Sequence, residues 1–241
     1  MPVLFAAACA SSPARPEQAG AGSNMTAQHG KHGQGQHGHH GHHGHHGHGG
    51  NHRFENAEQW AQTFDDPARD EWQKPDEVIR AMQLGPAMTV ADVGAGTGYF
   101  SVRLARAVPQ GQVIATDIEP DMVAYLGERA KKEGLANLRA VKASAAASGL
   151  AAQSVDAVLI VDVWHHIEDR VAYARDLAAA LRPGGRVVIV DFRLDATKGP
   201  PPEMRLPPEK IIADLTAAGL VAKVSAVALP EQYIIEATRA R

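Results

Sequence analysis

Five short runs rich in valine and isoleucine set the frame of this chain: TVADV (89–93), QVIATDI (112–118), NLRAVK (137–142), VDAVLIVD (155–162) and RVVIVDF (186–192). They read as parallel strands buried on both faces. Segments of helical spacing lie between them, with Met122, Leu126 and Ala130 four residues apart and Val171, Ala174, Leu177 and Leu181 three or four apart. Gly134 and the run RPGG (182–185) stop these two helices. Strand and helix in alternation require right-handed crossovers, so the fold expected is a doubly wound α/β sheet covered on both sides. The rhythm breaks at GPPPEMRLPP (199–208), a loop placed over the carboxyl edge of the sheet. A helix with Ile211, Leu215 and Ala218 on one face then stops at Gly219. Two last strands, LVAKVSAVAL (220–229) and QYIIEAT (232–238), are separated by a short turn at Pro230 and pair as an antiparallel hairpin, which makes the sheet mixed.

Residues 1–53 are set apart from the folded unit, which runs over 54–241 with a helical lid (54–87) before the core (88–241). Every histidine except His165 and His166 falls in the tract HGKHGQGQHGHHGHHGHHGHGGNH (29–52), whose interleaved glycines cannot bury a core and are expected to be disordered. The adjacent pairs His39 and His40, His42 and His43, and His45 and His46 offer interchangeable imidazole sets for adventitious Zn, Ni or Cu. A catalytic metal site is not expected there, because such sites need rigid ligand geometry. An apolar run (3–8) ends in small residues at Cys9 and is similar to a lipobox without its basic leader. Two readings stand open: a lipid anchor at Cys9 in the cell envelope, or an ordinary terminal segment of a cytoplasmic protein. Cys9 is the single cysteine, which excludes an intramolecular disulfide and a cysteine-based zinc site. The net charge of -3 argues against a nucleic-acid partner, and no apolar run approaches the roughly 18 residues of a membrane helix.

The first strand runs into VADVGAGTGYF (90–100). Strand, glycine turn and helix place free N–H groups and the positive end of a helix beside a backbone with no side chains in the way. The turn Gly94-Ala95-Gly96-Thr97-Gly98 is one residue shorter than the G-x-G-x-x-G of dinucleotide binders. That disfavours a nicotinamide-dependent oxidoreductase. Asp92, two residues before the turn, is unsuited to pyrophosphate and suits an amine. Asp117 ends the next strand, where the carboxyl tips share one crevice and an acid can accept both hydroxyls of a ribose. The ligand expected is a nucleoside with an amino-acid-like end.

With VADVGAGTGYF, IATDIEPDM, SVDAVLIVDVWHHIED and LRPGGRVVIVDF in this order and spacing, the chain from about Lys74 onward resembles the class I S-adenosylmethionine-dependent methyltransferases. Within them it is most similar to small-molecule enzymes related to quinone and metalloid methyltransferases. The resemblance implies a Rossmann-like, seven-stranded mixed sheet and S-adenosylmethionine as methyl donor. It implies that Gly94, Ala95, Gly96 and Gly98 form the turn against the methionine portion and that Asp92 orients its ammonium. Asp117 would take the ribose hydroxyls, Ile118 would lie against adenine, and Asp162 would sit beside the donor's methionine end and the methyl. The family's acid after the third strand is replaced here by Ser144.

Methyl transfer from a sulfonium is an in-line displacement in which alignment is the main task. An acceptor that must lose a proton needs a base, and His165 or His166 is the candidate by sequence. Trp60, Trp72, Tyr99, Trp164 and Arg205 are candidates for the mouth of the site. Arsenite is rejected as substrate, since the related enzymes hold arsenic with several cysteines, leaving a small-molecule oxygen, nitrogen or carbon acceptor. The alternative from the same residues is a cell-envelope metal-binding protein with a lapsed methyltransferase-like domain.

Overall fold

The computed structural model describes residues 56–239. Cys9 and the histidine pairs expected to take metal, His39 and His40, His42 and His43, and His45 and His46, therefore lie outside the described residues. Seven strands form one sheet: β1 (Thr89–Val93), β2 (Gln112–Asp117), β3 (Leu138–Lys142), β4 (Val155–Val161), β5 (Leu181–Phe192), β6 (Leu220–Val224) and β7 (Gln232–Arg239). Their order is β3-β2-β1-β4-β5-β7-β6. The first five are parallel, and β7 runs antiparallel between β5 and β6.

Both faces of the sheet are covered, which is why the central strands show no apolar/polar alternation. Val158 and Ile160 of β4 join Val187 and Ile189 of β5 on one face, under Tyr173 and Leu177 of α6 (Arg170–Ala180) and Ile211 and Leu215 of α7 (Pro208–Ala217). Leu159 and Val188 point to the other face, with Val90 and Val113, under Val78 of α3 (Pro75–Ala81), Leu104 of α4 (Tyr99–Ala107) and Leu126 of α5 (Pro120–Lys132). The expected α5 face of Met122, Leu126 and Ala130 is the buried one.

Two boundaries differ from expectation. Leu181 belongs to β5 rather than to the preceding helix. It pairs with Val155, and the register then shifts so that Arg186 pairs with Ala157, which absorbs RPGG as an irregularity inside the strand. The buried face of α6 is accordingly Tyr173, Ala174, Leu177 and Ala180. Strand β6 ends at Val224, not at 229, and the link to β7 is longer than a tight turn. Val227 and Leu229 pack into the core from this link, so their apolar character marks burial rather than strand pairing.

The helices expected to form the lid are α1 (Ala57–Phe64), α2 (Arg69–Gln73) and α3. Ala57 and Phe64 of α1 pack on Met122 of α5. An ion pair of 2.8 Å between Asp65 and Arg129 closes the same contact, and Arg129 also donates to the carbonyl of Thr97 at 2.9 Å. The lid is thereby fixed beside the glycine turn. Leu126 is fully buried where α5 meets this turn. Leu126→Ala is expected to lower stability by about 2–5 kcal/mol in urea denaturation, the range for cavity-forming core truncations.

Candidate active site

The carboxyl tips of β2, β1 and β4 are neighbours in the sheet, and each carries a buried aspartate. Asp92 of β1 accepts a hydrogen bond from the Ser101 hydroxyl of α4 at 2.6 Å. Burial pushes its carboxyl up to about 6 against the opposing pull of that bond. Asp117, at the end of β2, accepts from the N–H of Gly96 at 2.8 Å and from the N–H of Glu119 at 2.9 Å. Burial likewise raises it to about 6. Asp117 therefore braces the glycine turn, whose Gly94 and Ala95 N–H groups both donate to the carbonyl of Thr116 at 2.8 and 3.0 Å.

The glycines have separate reasons. Gly94 has φ of 72°, and a Cβ there would lie 2.4 Å from Cγ2 of Val163. Gly98 has φ of 95°, and its Cβ would meet Cδ2 of Leu126 at 2.7 Å. Neither position admits a side chain without displacing a buried neighbour.

Asp162 follows β4 directly with φ of 59°, an uncommon conformation for a residue with a side chain. Its Oδ1 accepts a hydrogen bond from Gln232 Nε2, and its Oδ2 lies 3.7 Å from Nη2 of Arg69. Gln232 in turn accepts from Gln73, and Gln73 accepts from Arg69 Nε at 3.0 Å. Four side chains from α2, the tip of β4 and β7 thus close a polar ring that ties the lid to the sheet. Burial raises Asp162 to about 7, while the Arg69 charge pulls it down and Asp191 pushes it up. The Arg69 guanidinium lies 4.2 Å from the Tyr99 ring centroid. Nothing local in the sequence marks Arg69, Gln73 or Gln232, because each acts through a partner distant in the chain.

Two hollows meet at this ring. A small cleft follows Gly94–Thr97 and is lined by Asp92, Val161, Phe64 and Arg69 as well. The Thr97 hydroxyl is buried there with no hydrogen-bond partner among the described residues. A cavity of about 520 Å³ lies alongside, lined by Phe64, Trp72, Phe192, Arg69, Asp162 and Lys198 among others.

Among the aromatics, Trp72 and Phe192 face each other with ring centroids 5.8 Å apart in the cavity wall. Trp60 instead stacks on Phe64, and Trp164 is fully buried beside Tyr173. Arg205 is not at the mouth: it donates to the carbonyls of Leu194, Ala196, Lys198 and Pro200 and pins the proline-rich loop. Ile118 is half-buried against one core face, with Val141 and Ala145 nearby in the same cluster. Ser144 is exposed, and its hydroxyl accepts from the Ala147 N–H at 3.1 Å, closing a local turn.

The sequence points to the histidine pair for a base. His165 and His166 line neither hollow. The His165 ring nitrogen Nδ1 meets Asp191 Oδ1 at 2.9 Å, with both side chains buried. Burial and the neighbouring His165 lower His166 to about 3, too weak a base for use near neutrality.

The sequence and the fold have counterparts among known proteins. A family described as a methyltransferase domain matches residues 90–185. A crystal structure of an S-adenosylmethionine-dependent methyltransferase from Aquifex aeolicus superposes with a TM-score of 0.69 at 28% identity, covering 74% of this chain and 96% of that one. The chain carries a methyltransferase domain over residues 90–185 and the fold of the class I S-adenosylmethionine-dependent methyltransferases. Similar sequences include the ubiquinone/menaquinone biosynthesis C-methyltransferase UbiE of Syntrophotalea carbinolica, 28% identical over 47% of this chain and 48% of the relative. An uncharacterized methyltransferase of Mycobacterium bovis is 36% identical over 48% of this chain and 44% of its own length. An arsenite methyltransferase of Halobacterium salinarum is 28% identical over 60% and 37%. The alignments thus span about half the length of the first two of these curated relatives, and less of the third.

For a class I methyltransferase the methyl donor is S-adenosylmethionine, and the residues present fit it. The turn offers backbone without side chains, the Thr97 hydroxyl is orphaned, and a carboxylate has lone pairs for more than the one bond each oxygen of Asp117 already accepts. No helix among the described residues is long and apolar enough to cross a membrane. The described residues hold no group of three or more metal-ligating side chains. His39, His40, His42, His43, His45 and His46, the expected metal ligands, are not among them, so no metal site is assigned to this domain. Gly94→Ala is expected to cost about 2–4 kcal/mol through its backbone conformation and the clash with Val163. Adding Val163→Ala should return part of that loss, a non-additivity read by urea denaturation of the four variants of the cycle.

Proposed function

We propose that this protein transfers a methyl group from S-adenosylmethionine to an oxygen, nitrogen or carbon nucleophile of a small molecule by in-line displacement. One observation carries the reading: a glycine-turn cleft and a larger cavity share Arg69 and Phe64 and are lined by consecutive residues, Val161 in the cleft and Asp162 in the cavity. A donor in the first hollow and an acceptor in the second would meet at the tip of β4.

In this reading Gly94, Ala95, Gly96 and Gly98 shape the turn that receives the donor's methionine portion. Asp92 attracts its ammonium and Asp117 accepts the ribose hydroxyls, leaving Ile118 to pack on adenine and the Ser144 hydroxyl to meet the adenine amine. Asp162 borders the reacting methyl. When bound, the donor supplies an activated methyl on a positive sulfur. The chain's own work is to align the acceptor and to exclude water, for which the aromatic cavity wall and the lid are suited.

Asp117→Ala is expected to weaken binding of S-adenosylmethionine by about 10- to 100-fold in isothermal titration, the loss of hydrogen bonds to a charged acceptor. Unchanged affinity in a folded variant would contradict the assignment. Donor affinity should also depend on pH. Asp92 and Asp117 sit at about 6, so both are ionised above pH 7 and affinity is flat there. As pH falls through 6 they take up protons, lose the charge that an ammonium and hydroxyls require, and affinity should fall in the same titration.

A further inference from the structure

The large cavity narrows the acceptor further, given that the cavity is the acceptor's place as proposed above. Phe64, Trp72 and Phe192 give it broad aromatic walls, which favour a flat, largely apolar molecule. Its charged lining residues Asp66, Glu71 and Lys198 are exposed and solvated at the rim. Asp162 differs from them, since it is 1% exposed and its Oδ2 makes no hydrogen bond. Its Oδ1 is held by Gln232, which Gln73 holds in turn, so the carboxylate cannot simply rotate to solvent. The backbone at Asp162 is kept at φ of 59°, and conformations of this kind persist where the surroundings hold a side chain in one place.

We propose that Asp162 is the general base, taking through Oδ2 the proton of a phenolic or enolic hydroxyl on a planar aromatic acceptor. The groups facing it fit this role. Arg69 from α2, 3.7 Å away, favours the ionised carboxylate and would repel a cationic amine from the same space. Asp191 from β5 opposes ionisation and His165 from the turn after β4 supports it. Gln232 from β7 is neutral and donates. Burial outweighs these and leaves Asp162 at about 7, a useful strength for a base at neutral pH. The transfer balances: an O–CH3 bond forms, the donor's S–CH3 bond breaks with its electron pair staying on sulfur, and the hydroxyl proton ends on Asp162. The positive charge of the donor and the negative charge of the carboxylate are cancelled together.

The test uses the full chain, labelled S-adenosylmethionine and a panel of phenols of graded acidity, with alkylamines and thiols as controls. Asp162→Asn keeps the shape and the bond from Gln232. It is expected to lower kcat on phenols by 100-fold or more, to abolish the rise of rate with pH through about 7, and to leave S-adenosylhomocysteine affinity by calorimetry within about threefold. Trp72→Leu should raise KM and keep the pH limb. A readout without turnover is the ionisation of 4-nitrophenol bound with S-adenosylhomocysteine. In the wild type the neighbouring carboxylate should raise the apparent pKa of the bound phenol relative to the Asn variant. Undiminished turnover in Asp162→Asn overturns the proposal, as does a parallel loss of S-adenosylhomocysteine affinity, which would make Asp162 a donor-holding residue. A wild type that binds S-adenosylhomocysteine but methylates only amines or thiols, or no panel member, overturns the phenolic acceptor. Failure of the wild type to bind S-adenosylhomocysteine at all would instead defeat the methyltransferase reading on which this one rests.

Discussion

Three carboxylates buried side by side at the tips of parallel strands are the constraint around which the rest of this protein is arranged. Taking Asp117, Asp92 and Asp162 out of water disfavours their charged forms, and each is answered by a different element. Asp117 is answered by two backbone N–H groups, Asp92 by a hydroxyl from α4, and Asp162 by Gln232 and the Arg69 charge. The answers are incomplete, which is why all three stay raised above the ordinary carboxylate range. A site with this unmet demand for positive charge and hydrogen-bond donors is matched to a ligand that brings an ammonium, a sulfonium and hydroxyls.

Arg69 carries a double duty in this balance. It is largely buried, burial lowers its own pKa, and it acts electrostatically on Asp92 and on Asp162. Because it enters from α2, the lid is part of the site's electrostatics and not merely a cover. The ring through Gln73 and Gln232 makes the same point in hydrogen bonds, since α2 is joined to β7 and β4 at their tips. Removing one member of such a ring leaves buried polar groups of the others unpaired, a larger loss than the bond itself.

The skeleton of this arrangement is legible in the sequence. The β1 bounds and the α5 face follow from local patterns, and the glycine turn with Asp92 and Asp117 follows from the chemistry of a strand tip. What local pattern cannot carry is the partner. Arg69 and Gln73 look like solvated residues of a charged stretch, and Gln232 like the first residue of a strand, until the fold brings them together. The histidines show the same limit: His165 and His166 stand close after Asp162 in the chain, yet a 3-10 turn carries His165 to Asp191, and neither histidine lines the cavity. The sixth strand reads too long in the sequence because Val227 and Leu229 are apolar for packing, and apolarity alone does not distinguish a paired strand from a buried link.

The central claim is that the strand tips and the glycine turn form a nucleoside cradle facing an acceptor cavity, and a crystal structure of the complex with S-adenosylhomocysteine tests it most directly. The account predicts the ribose hydroxyls on Asp117, the amino-acid end along Gly94 to Gly96, and the sulfur directed at the cavity beside Asp162. A nucleoside bound elsewhere, or a sulfur facing away from that cavity, would contradict it.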